Sequence, residues 1–312
     1  MNWKDRLSML VSAGHLEQAR ELCQSLGEPW DLCGADLMEA RLNRTHLEGL
    51  DLSRANLGKA SISLANLQGA ILVEANLVAA CLIGSDLRGA NLCGARLQVS
   101  WLQSADLRGA RLRGAELHGA VLRNANLQGA DLCDADLRDA MLQTADLSGA
   151  NLDGADLTGA SLNETRYDAA TRWPQGFDYQ HSGAFGPYAY IEAANFRGAN
   201  LQGCDFRHTR LGGSTLSWTN LCGARLQGAD LQRARFYQAN LQDADINGAD
   251  LRDATFERSD LRGADLSNTI HRDTHFRGAI YNTIPTTEDG RVTLFPRGFE
   301  PEAVGMVLDN TR

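Results

Sequence analysis

From Leu32 to Leu162 every fifth residue is leucine, with Ile62 the one exception, and the residue two places earlier is nearly always alanine. Asp36-Leu37, Asn56-Leu57, Asp106-Leu107, Asp136-Leu137 and Asn151-Leu152 show the unit, A-(D/N)-L-x-x, often with glycine last. A helix repeats its apolar face every ~3.6 residues and a strand every ~2. A period of five held over so long a stretch needs a backbone that turns a corner at each repeat, which describes a solenoid. Large leucine beside small alanine fills a narrow interior without voids. Asp or Asn before the leucine can hydrogen-bond nearby backbone amides and favours turns. Glycine in the fifth place, as in Gly69, Gly89, Gly109, Gly129 and Gly149, tolerates a turn with positive φ. The rows of aspartates therefore read as turn builders rather than catalytic acids.

With this register over residues 31–166 and again over about 193–282, the chain resembles the pentapeptide-repeat proteins, in particular cyanobacterial members. The resemblance implies an all-β solenoid: a right-handed quadrilateral, or four-sided, parallel β-helix with four pentads per coil. Leucine and alanine then point inward and the other three places outward. Residues twenty apart stack at roughly 4.8 Å, so Leu87, Leu107, Leu127 and Leu147 form one core ladder. Phe236, Phe256 and Phe276 recur at the same interval, which independently supports four pentads per coil.

Aromatics are only 6% of the 312 residues and glycine is abundant, as a thin core predicts. The net charge of −9 argues against a general nucleic-acid binder, which would be basic. Neither a membrane-span-length apolar run nor a signal-peptide pattern in residues 1–30 is present in the sequence, so no membrane partner is expected. The seven cysteines are scattered and odd in number. Cys33, Cys93 and Cys133 share an outward row, but Cys33 and Cys93 would sit three coils apart, too far for a disulfide. A cytoplasmic location is the expectation.

Five segments follow. Residues 1–30 read as an N-terminal α-helical hairpin cap, with Trp3, Leu7, Leu10 and Val11 on one stripe and Leu16, Ala19, Cys23 and Leu26 on another. Gly14 separates the helices, Gly27 closes the second, and Pro29 prevents continuation. Such a cap buries the open core and blocks edge pairing. Module 1 spans 31–166, and 167–192 form a terminator and linker that contains Tyr167-Asp168 and Trp173-Pro174-Gln175-Gly176-Phe177-Asp178. Module 2 spans 193–282 and ends in Tyr281-Asn282; 283–312 form a C-terminal terminator that continues, after an insertion, with Phe295-Pro296-Arg297-Gly298-Phe299-Glu300. Similar strings end the repeats in the family this chain resembles. The insertion Thr286-Thr287-Glu288-Asp289-Gly290 carries an Asp-Gly hairpin signal. His271 stands where leucine is expected, so the last coil should be distorted.

Candidate chemistry is thin. A phosphate loop, a CxxC pair and a nucleophile elbow are all missing from the sequence. His271 and His275 have metal-binding spacing on a helix, but here they fall on a solenoid with only Asp273 nearby. Arg108, Arg111 and Arg113 lie beside Asp106 and Glu116, a mixed-charge surface. The expectation is no catalytic residue, no cofactor and no metal.

The outward place before the leucine should be polar, yet one wall reads Cys81, Trp101, Val121, Met141. Ile83 and Leu64 lie on the same wall, and Val78 and Val99 on the wall beside it. Together they amount to roughly several hundred Å² of apolar surface, more than scattered exposure usually gives. Trp and Met are favoured at interface centres. The column is read as a protein-binding or self-association surface, including a homodimer, unless residues 168–192 or the tail 302–312 cover it.

Two functional classes stand open. One is a non-enzymatic regulatory scaffold that binds a protein partner through one wall, as the resemblance to cyanobacterial members allows. The other is a DNA mimic, since the resemblance extends to quinolone-resistance members that present an acidic rod to DNA gyrase. Mimicry needs a continuous negative field. Asp131, Asp134, Asp136, Asp139, Asp146, Asp153 and Asp156 supply one acidic stretch, relieved by Arg138. In module 2 arginines and acids nearly balance.

Overall fold

The computed structural model describes residues 3–13, 15–27, 31–285 and 290–311. The chain forms two compact units, Met1–Asp178 and Tyr179–Arg312.

In the first unit the residue before each core leucine pairs in parallel with the residue twenty places on, beginning with Asp31↔Asp51, Asp36↔Asn56, Arg41↔Ser61 and His46↔Asn66. These four columns are four walls, numbered 1 to 4 from Asp31, Asp36, Arg41 and His46. Each step of a column is a single bridge, because a five-residue side that also turns a corner is too short for an ordinary strand. The expected four-sided solenoid is therefore present, held by ladders of isolated bridges. Leu87, Leu107, Leu127 and Leu147 are at most 1% exposed, and Ser85, Ala105, Ala125 and Ala145 two places before them are equally buried.

The pentad Asn91–Ala95 shows where the five backbone N–H groups go. Asn91 N donates to Ala70 O of the previous coil at 2.9 Å; Leu92 N and Gly94 N donate to Arg111 O and Arg113 O of the next, at 2.7 and 2.9 Å. Ala95 N closes the corner on Leu92 O at 3.0 Å. The remaining donor, Cys93 N, reaches no carbonyl and donates instead to the Asn91 side-chain Oδ1 at 3.3 Å. An unpaired backbone donor is costly unless water or a side chain accepts, so the Asp or Asn before the leucine supplies the fifth acceptor. The corner has negative φ at its first residue and positive φ at its second, as at Gly109 (62°) and Gly129 (64°), the signature of a type II turn. Glycine tolerates that second place best. Val99 occupies it at φ 51°, an unfavourable place for a β-branched side chain.

The bridge ladder of the second unit begins at Tyr190↔Arg210, three residues ahead of the sequence expectation of 193. Phe236 and Phe256 stack at 4.5 Å between centroids with planes 6° apart, and Phe256 and Phe276 at 5.3 Å and 13°. The twenty-residue interval thus places the three rings in one buried pile. The pairing at His271 stays regular, with Asp250↔Ile270 twenty apart; the departure comes where Asp265 pairs with Leu294, twenty-nine residues on, across the insertion after Asn282 rather than at His271. His271 is half-buried with its ring edge-on to Phe299 at 5.2 Å.

The two terminator strings fold alike. Gly149 N donates to Asp168 Oδ1 and Gly263 N to Asn282 Oδ1, both at 2.8 Å. Thr171 Oγ1 donates to Leu147 O and Thr293 Oγ1 to Leu261 O, both at 2.9 Å. Trp173 and Phe177 stack at 5.5 Å, Phe295 and Phe299 at 5.1 Å. Gly176 and Gly298 sit at φ 81° and 80°. After β1 (Ile280–Tyr281) the chain adds β2 (Val307–Leu308) in parallel beside it.

Two helices precede the first coil, α1 (Trp3–Ser12) and α2 (Leu16–Leu26). Leu7, Val11, Ala19 and Cys23 are buried, and Arg20 Nη2 donates to His46 O of the first coil at 3.3 Å. Gly27 ends α2 in the left-handed conformation at φ 66°. Leu26 is 49% exposed, so it leaves the apolar stripe proposed for α2: as the last helical residue, it has no following turn to hold it down. Gly14 and Pro29, and the hairpin expected at Thr286-Thr287-Glu288-Asp289, lie outside the described residues.

Asn282 is fully buried, and its side chain makes five hydrogen bonds, to Gly263, Thr293, Ile284 and Arg291. Asn282→Ala should destabilise the second unit by about 2–4 kcal/mol, read as a lowered melting midpoint by circular dichroism. Asn282→Asp keeps the Oδ1 bonds but turns the two Nδ2 donors to Ile284 O and Arg291 O into an oxygen facing carbonyls, so it should also melt lower. A melt of Asn282→Ala that overlays the wild type contradicts the shared terminator network.

Candidate functional site

The Asx acceptor is used wherever it is present. On wall 4, Gln68, Arg88, Arg108, Gln128 and Ser148 donate their N–H groups to Asn66, Asp86, Asp106, Asn126 and Asp146 at 2.9–3.2 Å. Walls 1 and 2 repeat the pattern at every Asp and Asn, for example Cys133 on Asp131 and Arg138 on Asp136. Wall 3 reads Arg41, Ser61, Cys81, Trp101, Val121, Met141, Ser161 and offers no Asx residue in any of its seven coils. Ser63 N finds the Asn43 side chain at 2.8 Å. Among the described residues, the N–H groups of Ile83, Gln103, Arg123 and Gln143 have no acceptor within the chain.

The apolar column lies on that wall. Trp101 is 52% exposed and Met141 38%, so residues 168–178 of the same unit do not bury them. Val121 between them and Cys81 one coil before Trp101 are half-buried. The corner that enters the wall carries Val78, half-buried, and Val99, exposed; the corner that leaves it carries Ile83, half-buried, and Leu64, exposed. Leu64 lies so close over Gly84 that a Cβ there would meet Leu64 Cδ2 at 2.8 Å. All eight apolar residues singled out from the sequence thus fall on one wall and its two corners.

Four buried side-chain atoms in the coils next to Trp101 in sequence lack a hydrogen bond: Gln98 Oε1, Ser100 Oγ, Gln103 Oε1 and His118 Nδ1, the last lying 3.8 Å from Asp139 Oδ2. Buried polar atoms normally find partners, so their grouping sets these coils apart. Sequence reasoning missed this cluster and the lost acceptors. The second was readable by taking the residues before each leucine at intervals of twenty and asking which column never contains Asp or Asn.

On the other walls several aspartates are paired with an arginine in their own pentad. Arg88, Arg108 and Arg138 chelate Asp86, Asp106 and Asp136 two residues earlier, with closest contacts of 2.5–2.7 Å; Asp205–Arg207, Asp250–Arg252 and Asp260–Arg262 repeat this in the second unit at 2.6 Å. The guanidinium hydrogen bond holds the carboxyls of Asp86, Asp106, Asp136 and Asp250 below the usual carboxylate range. In the acidic stretch Asp134 also has Arg113 at 3.1 Å, so Arg138 is not its sole relief. The Arg108, Arg111, Arg113 spot is likewise tied to acids through Arg108 and Arg113.

His271, Asp273 and His275 do not converge; Nδ1 of His271 lies 3.3 Å from Thr269 O. Among the described residues, the ligand atoms that do gather are those of Asp31, Cys33 and Asp51, and both aspartates already accept backbone N–H bonds from Cys33 and Ser53. In the second unit Trp218 is 44% exposed, with Arg197 stacked over it at 3.9 Å.

The repeats match the family described as pentapeptide repeats, in eight copies, over residues 31–58, 60–98, 102–139, 140–166 and 259–280. A second description, pentapeptide repeat region, matches residues 189–266. No curated protein sequence matches the chain. Three solved structures illustrate its similarities. HetL, a pentapeptide repeat protein involved in heterocyst differentiation regulation from the cyanobacterium Nostoc sp. strain PCC 7120, is 27% identical over 88% of this chain and 98% of its own, with a TM-score of 0.25. The pentapeptide repeat protein alr5209 from Nostoc PCC 7120 is 41% identical over 33% of this chain and 82% of its own, with a TM-score of 0.23. QnrB1, a plasmid-mediated fluoroquinolone resistance protein, is 17% identical over 78% of this chain and 86% of its own, with a TM-score of 0.18. Superpositions this loose carry no argument about role.

Amide exchange reports the missing acceptors directly. Gln103, Arg123 and Gln143 N–H should exchange faster by about tenfold or more than Arg108, Gln128 and Ser148 N–H, the worth of roughly one hydrogen bond. Equal protection in a deuterium-exchange spectrum removes the distinction drawn for wall 3.

Proposed function

This chain belongs to the pentapeptide-repeat family, and from that premise we propose that it is a non-enzymatic, regulatory scaffold that binds a protein partner through wall 3 of its first unit. The observation that carries the reading is the exposure of Trp101 and Met141 on the one wall whose coils all lack an Asx acceptor. The other walls lose the acceptor in some coils, as at Ile71, Arg96, Arg111 and Glu116, and keep it in the rest, whereas wall 3 lacks it throughout. Trading it for Trp, Val and Met gains nothing for an isolated solenoid, because the traded side chains point outward. The exchange makes physical sense where another surface covers the wall, since aromatic and sulfur-bearing side chains anchor interfaces. The helix pair then serves as the cover of the first coil, with Leu7, Val11, Ala19 and Cys23 as its buried face.

The alternative, a DNA mimic that binds gyrase, is disfavoured by the pairing of Asp86, Asp106, Asp136, Asp250 and Asp260 with arginines two residues on. Those arginines break the continuous negative field that mimicry needs.

Wild type and Trp101→Asp, both first shown to be folded by circular dichroism, serve as parallel baits in a native lysate. A protein held by the wild type and lost with Trp101→Asp is the expected outcome. Equal capture by both baits clears wall 3 of a binding role. Protection of gyrase supercoiling from a quinolone at about micromolar concentration, near typical weak-complex affinities, would restore the mimic reading.

A further inference from the structure

Taking wall 3 as the binding face, we infer that its occupant is an acidic peptide segment of another protein, extended along the solenoid axis, whose carboxylate and carbonyl oxygens accept the N–H groups of Ile83, Gln103, Arg123 and Gln143. On every other wall of the unit the equivalent donors are satisfied by carboxylate or amide oxygens wherever Asp or Asn precedes the leucine. On wall 3 those oxygens are missing from the chain itself, and a partner's acids supply the same chemistry from outside.

Charge points the same way. The chain carries −9 overall, yet the outward places of wall 3 from Arg41 to Glu164 contain no aspartate; Arg41, Arg44 and Arg123 stand against Glu164 alone. Around the four unmet donors, from Cys81 to Thr144, Arg123 is the one charged outward residue, so this face of an acidic protein carries positive rather than negative charge and is rich in donors. Charge-assisted bonds from N–H groups to carboxylates are the strong kind. A second copy docked on the same wall by a two-fold axis would set its unmet N–H donors against the same kind of donors, which cannot pair with one another. Gln103 Oε1 and Gln98 Oε1, buried and without partners, need donors instead. A peptide main chain brings both N–H and C=O groups, which a free anion does not.

Length is also set by the wall. Ile83 to Gln143 spans three coil steps, roughly 14 Å at ~4.8 Å per step, or about four to five extended residues. The apolar column from Leu64 to Met141 adds a further step, so a segment of about six to eight residues covers it. Its apolar side chains would pack on Trp101, Val121 and Met141.

The test is selection from a phage-displayed random 12-residue peptide library on the full-length protein, with Trp101→Asp as counter-target. The expected result is a family of peptides of net negative charge with interspersed apolar residues. Replacing their Glu and Asp by Gln and Asn should weaken binding by about tenfold, the worth of roughly one charge-assisted bond. Affinity should also fall as salt rises. Val121→Asn, which gives Arg123 N–H an internal acceptor, should bind the same peptides more weakly while melting no lower than the wild type. Enrichment of neutral or basic peptides overturns the inference, as does binding that is indifferent to Val121→Asn or no enrichment dependent on Trp101. Self-association lost in Trp101→Asp by sedimentation would assign the wall to a second copy and overturn it too. A lysate partner lost with Trp101→Asp, alongside non-acidic selected peptides, would leave the scaffold reading standing and remove only the acidic chemistry.

Discussion

Each pentad has five backbone donors and only four carbonyls placed to receive them. Three donors run to the neighbouring coils and one closes the corner, as in Asn91–Ala95. The fifth, on the residue after the leucine, has no main-chain partner and depends on a side-chain oxygen two residues earlier. Everything regular in the molecule follows from meeting that demand while keeping the interior dry. The leucine and alanine ladders exclude water from the axis, the Asx side chain completes the hydrogen bonding, and the left-handed corner residue closes the turn.

Departures from the unit are therefore informative in proportion to what they forgo. Asp168 and Asn282 keep the Asx chemistry but turn it on the amides of Gly149 and Gly263, which lets the same oxygen end a ladder. The arginine two residues after Asp86, Asp106 and Asp136 keeps the backbone bond and adds an ion pair. On wall 3 the bond is given up in coil after coil, and the side chains that replace it are ones a solvated surface does not need. The corner residue Val99, held at φ 51°, adds local strain beside Trp101. Strain and unpaired polar groups concentrate at functional sites because folding alone does not select for them.

Much of this was legible before any coordinates. The period of five announced a solenoid, and the recurrence of Phe236, Phe256 and Phe276 counted the pentads per coil. The apolar column from Cys81 to Met141 could be assembled from the interval of twenty alone. The two terminators could be aligned as strings, though not the hydrogen bonds they share. Leu26 misled because helical periodicity marks a stripe without saying where the covering surface stops.

The spacing determined a solenoid with leucine and alanine ladders, because a five-residue repeat that buries two side chains leaves few backbone solutions, and the family resemblance carried by the repeats implied its four sides and so which residues share a wall. What the tertiary structure decided is which donors on each wall are met and which side chains stay uncovered. Hydrogen-bond satisfaction depends on where a carbonyl twenty residues away comes to rest, and exposure depends on whether any other segment lies above. Trp101 could have been buried under the linker on sequence grounds alone; its 52% exposure is a property of the folded chain.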